Sequence, residues 1–293
     1  MALPNFLCVG AQKAGTTTLY EILKQHPDIF LPQNVKETKF FVYPDKYENG
    51  LEYYEKEYFS EWQGQQAIGE VDPAIMFEEQ AASRIHRSLG NKVKLIFILR
   101  NPAARAYSHF LMTQRKGFEE LSFDEAISKE KDRLVQNPAQ KFNFSYLTRG
   151  YYSRQIERFK EYFPAENFLF LIFEDDFIKN RKITFDRIQD FLEVKRVGLD
   201  LDIRSNKAAA PKNKTVHELM RKRNAVRNTL SKIMPGSLKK TIQDFISKKN
   251  IKEIEHSTLD VKKEMELIQK FFMEDIQKLE KILYRDLSTW YTK

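Results

Sequence analysis

The chain has 293 residues, 42% hydrophobic and 31% charged, a balance that fits a folded soluble protein and excludes a disordered or fibrous one. A single cysteine, Cys8, excludes an internal disulfide framework and a multi-cysteine metal site, and a reducing compartment, the cytoplasm, is expected. Basic residues outnumber acidic ones by 49 to 41, and the net charge of +8 suits an anionic ligand or surface without choosing among them.

That charge is concentrated. Residues 204–252 hold fourteen Lys and Arg against two acids, Glu218 and Asp244, while the remainder carries 35 basic and 39 acidic residues. The longest apolar runs, 95–99 and 168–173, have strand length and fall far short of the roughly 20 residues that span a bilayer. The opening residues MALPN lack the charged leader and apolar stretch of a secretory signal, so none is expected.

Residues 5–9 (NFLCV) form an apolar run ending in Gly10, and 16–25 follow as a helix closed by His26-Pro27. Strand, glycine turn, helix is the opening of a nucleotide-binding α/β domain. A short strand is predicted over 67–70 and an amphipathic helix over 74–88. Residues 93–99 (VKLIFIL) read as a parallel strand buried on both faces. Pro102 starts the next helix, which carries Tyr107, Phe110 and Leu111. Across 146–163, Tyr152, Ile156, Phe159 and Phe163 recur at helical spacing before Pro164 stops the helix. A strand over 167–173 and a helix over 183–192 follow. After Gly198 no strand is evident, and helices are predicted over 216–234, 238–249 and 259–283. The expected fold is α/β: a P-loop-like parallel sheet flanked by helices, with a helical basic C-terminal segment. One domain is expected over 1–293, made of a nucleotide-binding core (1–198), a basic helical insertion (199–258) and a C-terminal helix and tail (259–293).

The segment Gly10-Ala11-Gln12-Lys13-Ala14-Gly15-Thr16-Thr17-Thr18 has the glycine spacing of a Walker A loop, but Thr16 occupies the lysine position. Such glycines let backbone N–H groups close around phosphate oxygens, and the helix N-terminus adds a positive dipole. The bland alternative is a tight strand–helix turn with no ligand. A nucleoside triphosphatase also needs an acid after a later strand to hold magnesium. Here the strongest strand ends in Leu99-Arg100-Asn101-Pro102, a positive charge in place of a carboxylate, which favours phosphate binding without a metal. His26, His86, His109, His217 and His256 form no ligand spacing, and no metal is assigned.

The loop VGAQKAGTTTL resembles the 5′-phosphosulfate loop of sulfotransferases that use 3′-phosphoadenosine 5′-phosphosulfate (PAPS). Four further stretches fit in the same order. Lys36-Glu37-Thr38-Lys39-Phe40-Phe41 is similar to the K-E-x-H-F-F segment of heparan-sulfate-type and bacterial carbohydrate sulfotransferases, and Gly69-Glu70-Val71-Asp72-Pro73 to their G-E-x-[TS]-P segment. Arg100-Asn101-Pro102 with Arg105-Ala106-Tyr107-Ser108 resembles their 3′-phosphate motif, and Arg285-Asp286 through Trp290 their C-terminal ending. The resemblance implies an enzyme that transfers a sulfuryl group to a hydroxyl or amine, on a carbohydrate or glycolipid.

It also implies roles. Lys13, with Gly10, Gln12, Ala14, Gly15, Thr16, Thr17 and Thr18, would hold the 5′-phosphosulfate, and Lys13 would neutralise charge on the bridging oxygen as the S–O bond breaks. Arg100 and Ser108 would hold the 3′-phosphate. Glu37 would be the general base, although its two flanking lysines should keep its pKa low. Tyr152, in Gly150-Tyr151-Tyr152 with Gln155, would approach the adenine, or else is a core aromatic. Lys212 and Lys214, in Pro211-Lys212-Asn213-Lys214, would close over the nucleotide. Lys39 and Glu70 are acceptor-side residues, and a structural role for Glu70 at the strand end is an equal alternative. Lys39 replaces the family's histidine, and Val71 the lysine of heparan-specific members, so the acceptor need not be heparan-like.

Two other function classes stand beside this one: a P-loop small-molecule kinase, opposed by Thr16 and Arg100, and a basic binding module acting through 204–252. For nucleic acid the module reading is poor, because that stretch has one aromatic, Phe245, and base stacking needs more. For an anionic membrane surface it stays open, which would make the protein cytoplasmic and peripheral to a membrane.

Overall fold

A computed structural model describes residues 2–203, 209–211, 251–253 and 258–292. Five parallel strands, β1 (Phe6–Gly10), β2 (Ile29–Phe30), β3 (Ala67–Val71), β4 (Lys94–Leu99) and β5 (Phe168–Ile172), form one sheet in the order β2–β3–β1–β4–β5. Every residue of β1 and β3 is buried, as are the last five of β4, so helices cover both faces. The α/β class and the parallel sheet are therefore as the hydrophobic runs predict.

Helix α1 (Thr16–Leu23) follows β1, and α2 (Pro44–Tyr47) and α3 (Gly50–Tyr58) fill the stretch between β2 and β3. Helix α4 (Ala81–Leu89) starts seven residues later than its periodicity suggests. The reason is a set of ties to β1: the Asp72 N–H donates to the Cys8 carbonyl at 3.0 Å and the Met76 N–H to the Val9 carbonyl at 2.8 Å, which holds 72–76 in turns. After β4 come α5 (Pro102–Arg115), α6 (Phe123–Ser128), α7 (Glu130–Gln136) and α8 (Lys141–Phe144).

The predicted helix over 146–163 is two pieces, a 3₁₀ turn at Thr148–Gly150 and α9 (Tyr152–Lys160). Remote carboxylates impose the break. Glu130 accepts the Leu147 and Thr148 N–H groups at 2.6 and 2.8 Å, and Asp275 accepts the Tyr152 N–H at 2.7 Å. Helix α10 (Arg181–Phe191) follows β5 and a π-helical turn, and the final helix runs as α11 (Val261–Leu267), a π turn and α12 (Met273–Leu283).

One expectation fails. Strands do occur beyond Gly198: β6 (Ala209–Pro211) pairs antiparallel with β7 (Ile251–Glu253). At three residues each, one ending in proline, they carry no alternation to read. The helices expected over 216–234 and 238–249, with Lys212 and Lys214, lie outside the described residues.

Asn101 ties the carboxyl end of β4 to the C-terminal elements. Its side-chain oxygen caps α5 by accepting the Ala103 and Ala104 N–H groups at 3.0 and 3.1 Å. Its amide donates to Glu264 at 2.9 Å and to the Trp290 carbonyl at 3.2 Å. Glu174, after β5, accepts both the Asn101 backbone N–H and the Trp290 indole N–H, at 3.1 and 3.2 Å. Asn101→Ala removes the cap and strands buried partners, so chemical denaturation should show a loss of about 2–4 kcal/mol. A change below about 0.5 kcal/mol, the scale of an ordinary surface substitution, would mean the hub is not needed.

Candidate active site

Among the described residues, Lys13, Glu37 and Arg100 follow β1, β2 and β4 at the carboxyl ends of the parallel strands, where open α/β sheets place their ligands, while Lys212 and Lys214 lie outside the described residues. The loop after β1 turns tightly against β3's extension: a Cβ on Gly10 would lie 2.7 Å from the Met76 Cβ, so only glycine fits. Gly15 at φ 90° and Lys13 at φ 73° both take left-handed backbone, which curls the loop ahead of α1. Arg100, leaving β4, donates from Nη1 to the Lys13 carbonyl at 3.0 Å and stacks over Phe173 with 5.0 Å to the ring centre. Its Nε is buried without a hydrogen-bond partner, as is the side-chain oxygen of Gln12.

The electrostatics of this loop are one-sided. Burial, then Arg115, Arg100, Lys116 and Lys36, push the Lys13 ammonium down to about 8. Clustered cations of this kind, with an orphaned guanidinium N–H beside them, make this loop strongly electropositive. Thr16 is buried at the start of α1, with Thr17 and Thr18 half-buried beside it, and Ser108 is half-buried on α5.

Of the two readings of Tyr152, the core-aromatic one fits its surroundings: its ring is fully buried, and its hydroxyl donates to the Arg100 carbonyl at 2.9 Å.

On the β2–β3 side, Glu37 is gripped by two ammonium groups, Lys36 Nζ at 2.9 Å on Oε1 and Lys39 Nζ at 2.7 Å on Oε2. Burial raises its pKa, but Lys39 and Lys36 outweigh that and hold it at about 2. Lys36 Nζ also reaches Thr16 Oγ1 at 3.4 Å, joining this loop to the first. Lys39 Nζ pairs at 2.7 Å with Asp72, at the end of β3.

For Glu70 the surroundings fit the strand-end structural alternative: it is 0% exposed, and its oxygens accept the Thr38 N–H at 2.9 Å, the Thr38 hydroxyl at 2.6 Å and the Tyr54 hydroxyl at 2.5 Å. Burial and the nearby Asp72 raise its pKa. It anchors the segment that carries Glu37 through Thr38.

Sequence reasoning missed four residues. Asp72 had a signal, since it stands where the quoted pattern has Ser or Thr. Arg115 and Lys116, at the far end of α5, act on Lys13 only through the fold. Arg149 is 3% exposed, with Nε and Nη2 unpartnered, and its guanidinium lies 4.4 Å from the Phe77 ring centre. Burial, then Arg105, push its pKa down to about 9, against the pull of Asp72 and Glu37.

Residues 3–281 match the family model for the sulfotransferase domain. The chain belongs to the sulfotransferase domain family. A crystal structure of a sulfotransferase from Alicyclobacillus acidocaldarius is similar over 99% of both chains, with a TM-score of 0.70 and 26% identity. Human heparan sulfate glucosamine 3-O-sulfotransferase 6 is 31% identical over 203 residues, 67% of this chain and 54% of that protein. The membrane-associated sulfotransferase kil1 of Dictyostelium discoideum is 34% identical over 140 residues, 45% of this chain and 29% of that protein. The chain thus spans about half the length, or less, of the curated relatives it matches. Membership of this family disfavours the kinase reading. Among the described residues, no helix is long and apolar enough to cross a membrane.

Proposed function

We propose that the chain transfers a sulfuryl group from PAPS to a hydroxyl or amine of a glycan or glycolipid acceptor. The observation that carries this reading is the edge itself: cations cluster around Lys13 on the β1–β4 side, and a fixed carboxylate, Glu37, is held on the β2–β3 side by Lys39 and by Lys36, which also reaches Thr16. The orphaned Arg100 Nε and the uncompensated charge at Lys13 fit a ligand with phosphate at two ends. Bound PAPS supplies the activated sulfuryl group.

This chain's residues then divide the work. The amides of the loop, with Gln12, Thr16, Thr17, Thr18 and Lys13, bind the 5′ end, and Lys13 stabilises charge leaving with the bridging oxygen. Arg100 and Ser108 bind the 3′-phosphate, the guanidinium as a fork and the hydroxyl as a single donor. Glu37 takes the acceptor's proton. It is a weak base at about 2, so its contribution comes from being fixed and ionised at the point of attack. Lys212 and Lys214 would add positive charge over the nucleotide. The heparan sulfate acceptor in the relatives' names supports a glycan, while Lys39 and Val71, in place of histidine and lysine, argue for a different one.

Adenosine 3′,5′-bisphosphate should bind with no need for magnesium and more tightly than ATP. Arg100→Ala should weaken the bisphosphate by about 1.5–3 kcal/mol and leave a ligand without the 3′-phosphate nearly unchanged. Tight, magnesium-dependent ATP binding would overturn the assignment, and equal losses for both ligands would make Arg100 structural.

A further inference from the structure

Asp72 is fully buried, yet its side chain serves the loop that carries Glu37. Oδ1 accepts the Lys39 ammonium at 2.7 Å and the Ala74 N–H at 3.0 Å, and Oδ2 accepts the Lys39 backbone N–H at 3.2 Å. Lys39 has φ 62°, left-handed backbone that a residue with a Cβ holds only when its surroundings fix it. The same ammonium donates to Glu37 Oε2 at 2.7 Å. A carboxylate, an ammonium and a second carboxylate thus form a chain of contacts from the end of β3 to the proposed base.

We propose that Asp72 is a positioning residue for sulfuryl transfer, holding Lys39 at both backbone and ammonium so that Lys39 keeps Glu37 in one orientation. The inference rests on the transfer reading above. An ammonium paired with Glu37 alone would withdraw that carboxylate from the acceptor. Shared between two acids, it orients Glu37 while half of its charge is already answered. Lys36 faces Glu37 from the same loop, and Thr16 stands behind Lys36 on α1. Asp72 and Glu70 come from β3, and Arg149 acts from the turn before α9. Glu70 grips Thr38 and touches neither Lys39 nor Glu37, so the hold on the ammonium falls to Asp72. Burial lowers the pKa of Lys39, but Asp72 and then Glu37 raise it overall, so removing Asp72 must move it down.

The test compares Asp72→Asn, Lys39→Met and the double variant. Turnover is followed against pH, adenosine 3′,5′-bisphosphate affinity checks the fold, and the Lys39 Cε resonance is titrated in ¹³C-lysine-labelled protein without ligands. Asp72→Asn should lower kcat about 10- to 100-fold through misplacement of the base, with donor KM and bisphosphate affinity within about twofold. The Lys39 titration should move to lower pH. The double variant should be no slower than the slower single, because the two residues act as one unit. Losses that multiply in the double, an unmoved Lys39 titration, or an unchanged kcat would each overturn the proposal. If Asp72→Asn does not fold, Lys39→Gln probes the same hold, and kcat within about twofold of wild type would overturn it, since misplaced groups cost far more. A wild type that transfers no sulfuryl group overturns the proposed function, whereas the ligand-free titration still judges the hold on Lys39.

Discussion

Replacing Glu37 with Gln is expected to slow sulfuryl transfer by about 10²–10⁴ and to leave bisphosphate binding close to normal. The substitution keeps the volume and one oxygen, so Lys36 or Lys39 retains a partner, but it removes the proton acceptor. Each lysine takes one position on one oxygen, and a carboxylate offers about four such positions, so Glu37 can accept a proton without first breaking either pair. Its pKa also fixes the sign of the pH response. Glu37 stays ionised until the pH falls to about 2, so its protonation would not produce an acid limb in kcat/KM near the usual carboxylate range. Lost nucleotide binding with chemistry intact would place Glu37 on the donor side instead.

Lys13→Ala should cost on the order of 10²–10³ in turnover with little change in stability, because a preorganised charge at the reacting oxygen is lost from a loop side chain outside the core. Binding should carry a second signature. Free Lys13 sits at about 8, and an anion beside it raises that value, so complex formation takes up a proton at alkaline pH. Affinity for the bisphosphate should therefore fall as pH rises from 8 towards 10, and the slope should flatten in Lys13→Ala. Calorimetry in buffers of different ionisation enthalpy measures the proton directly. Near-wild-type turnover, or an unchanged slope in the variant, would remove Lys13 from the reacting end.

The parts of the molecule legible in the sequence are those whose cause is local. The runs before Gly10 and Arg100 are apolar throughout because β1 and β4 are buried on both faces, and the helix of Pro102 begins where its proline and Asn101 cap allow. Lys13 and Arg100 stand out because each directly follows a strand run that is visible in the sequence, whereas Glu37 stands out only through the family resemblance of its segment, since the strand before it has two residues. What escaped depends on partners far along the chain. Tyr152 carries the same spacing in either role, and its bond to the Arg100 carbonyl, 52 residues away, has no local signal. For Glu70 the sequence leaves an acceptor-side and a structural role level, and its partners Thr38 and Tyr54 are visible only in the fold. Strand β2, with two residues, is too short to show any period, and the helix over 146–163 is cut by Glu130 and Asp275, which no local pattern announces.

The strand order has a consequence for how such a protein diversifies. Groups that would grip the nucleotide hang from β1 and β4, whereas Glu37, Lys39 and Asp72 hang from the far side of the same edge, after β2 and β3. Lys36 touches both sets, through Thr16 and Glu37. Under the proposed function, changes in the loop after β2, which carries Lys39, would alter the surroundings of Glu37 without touching the loop after β1 or Arg100 after β4. The two sets of groups would then be free to change separately, and a graft of the loop after β2 would be expected to carry acceptor preference with it.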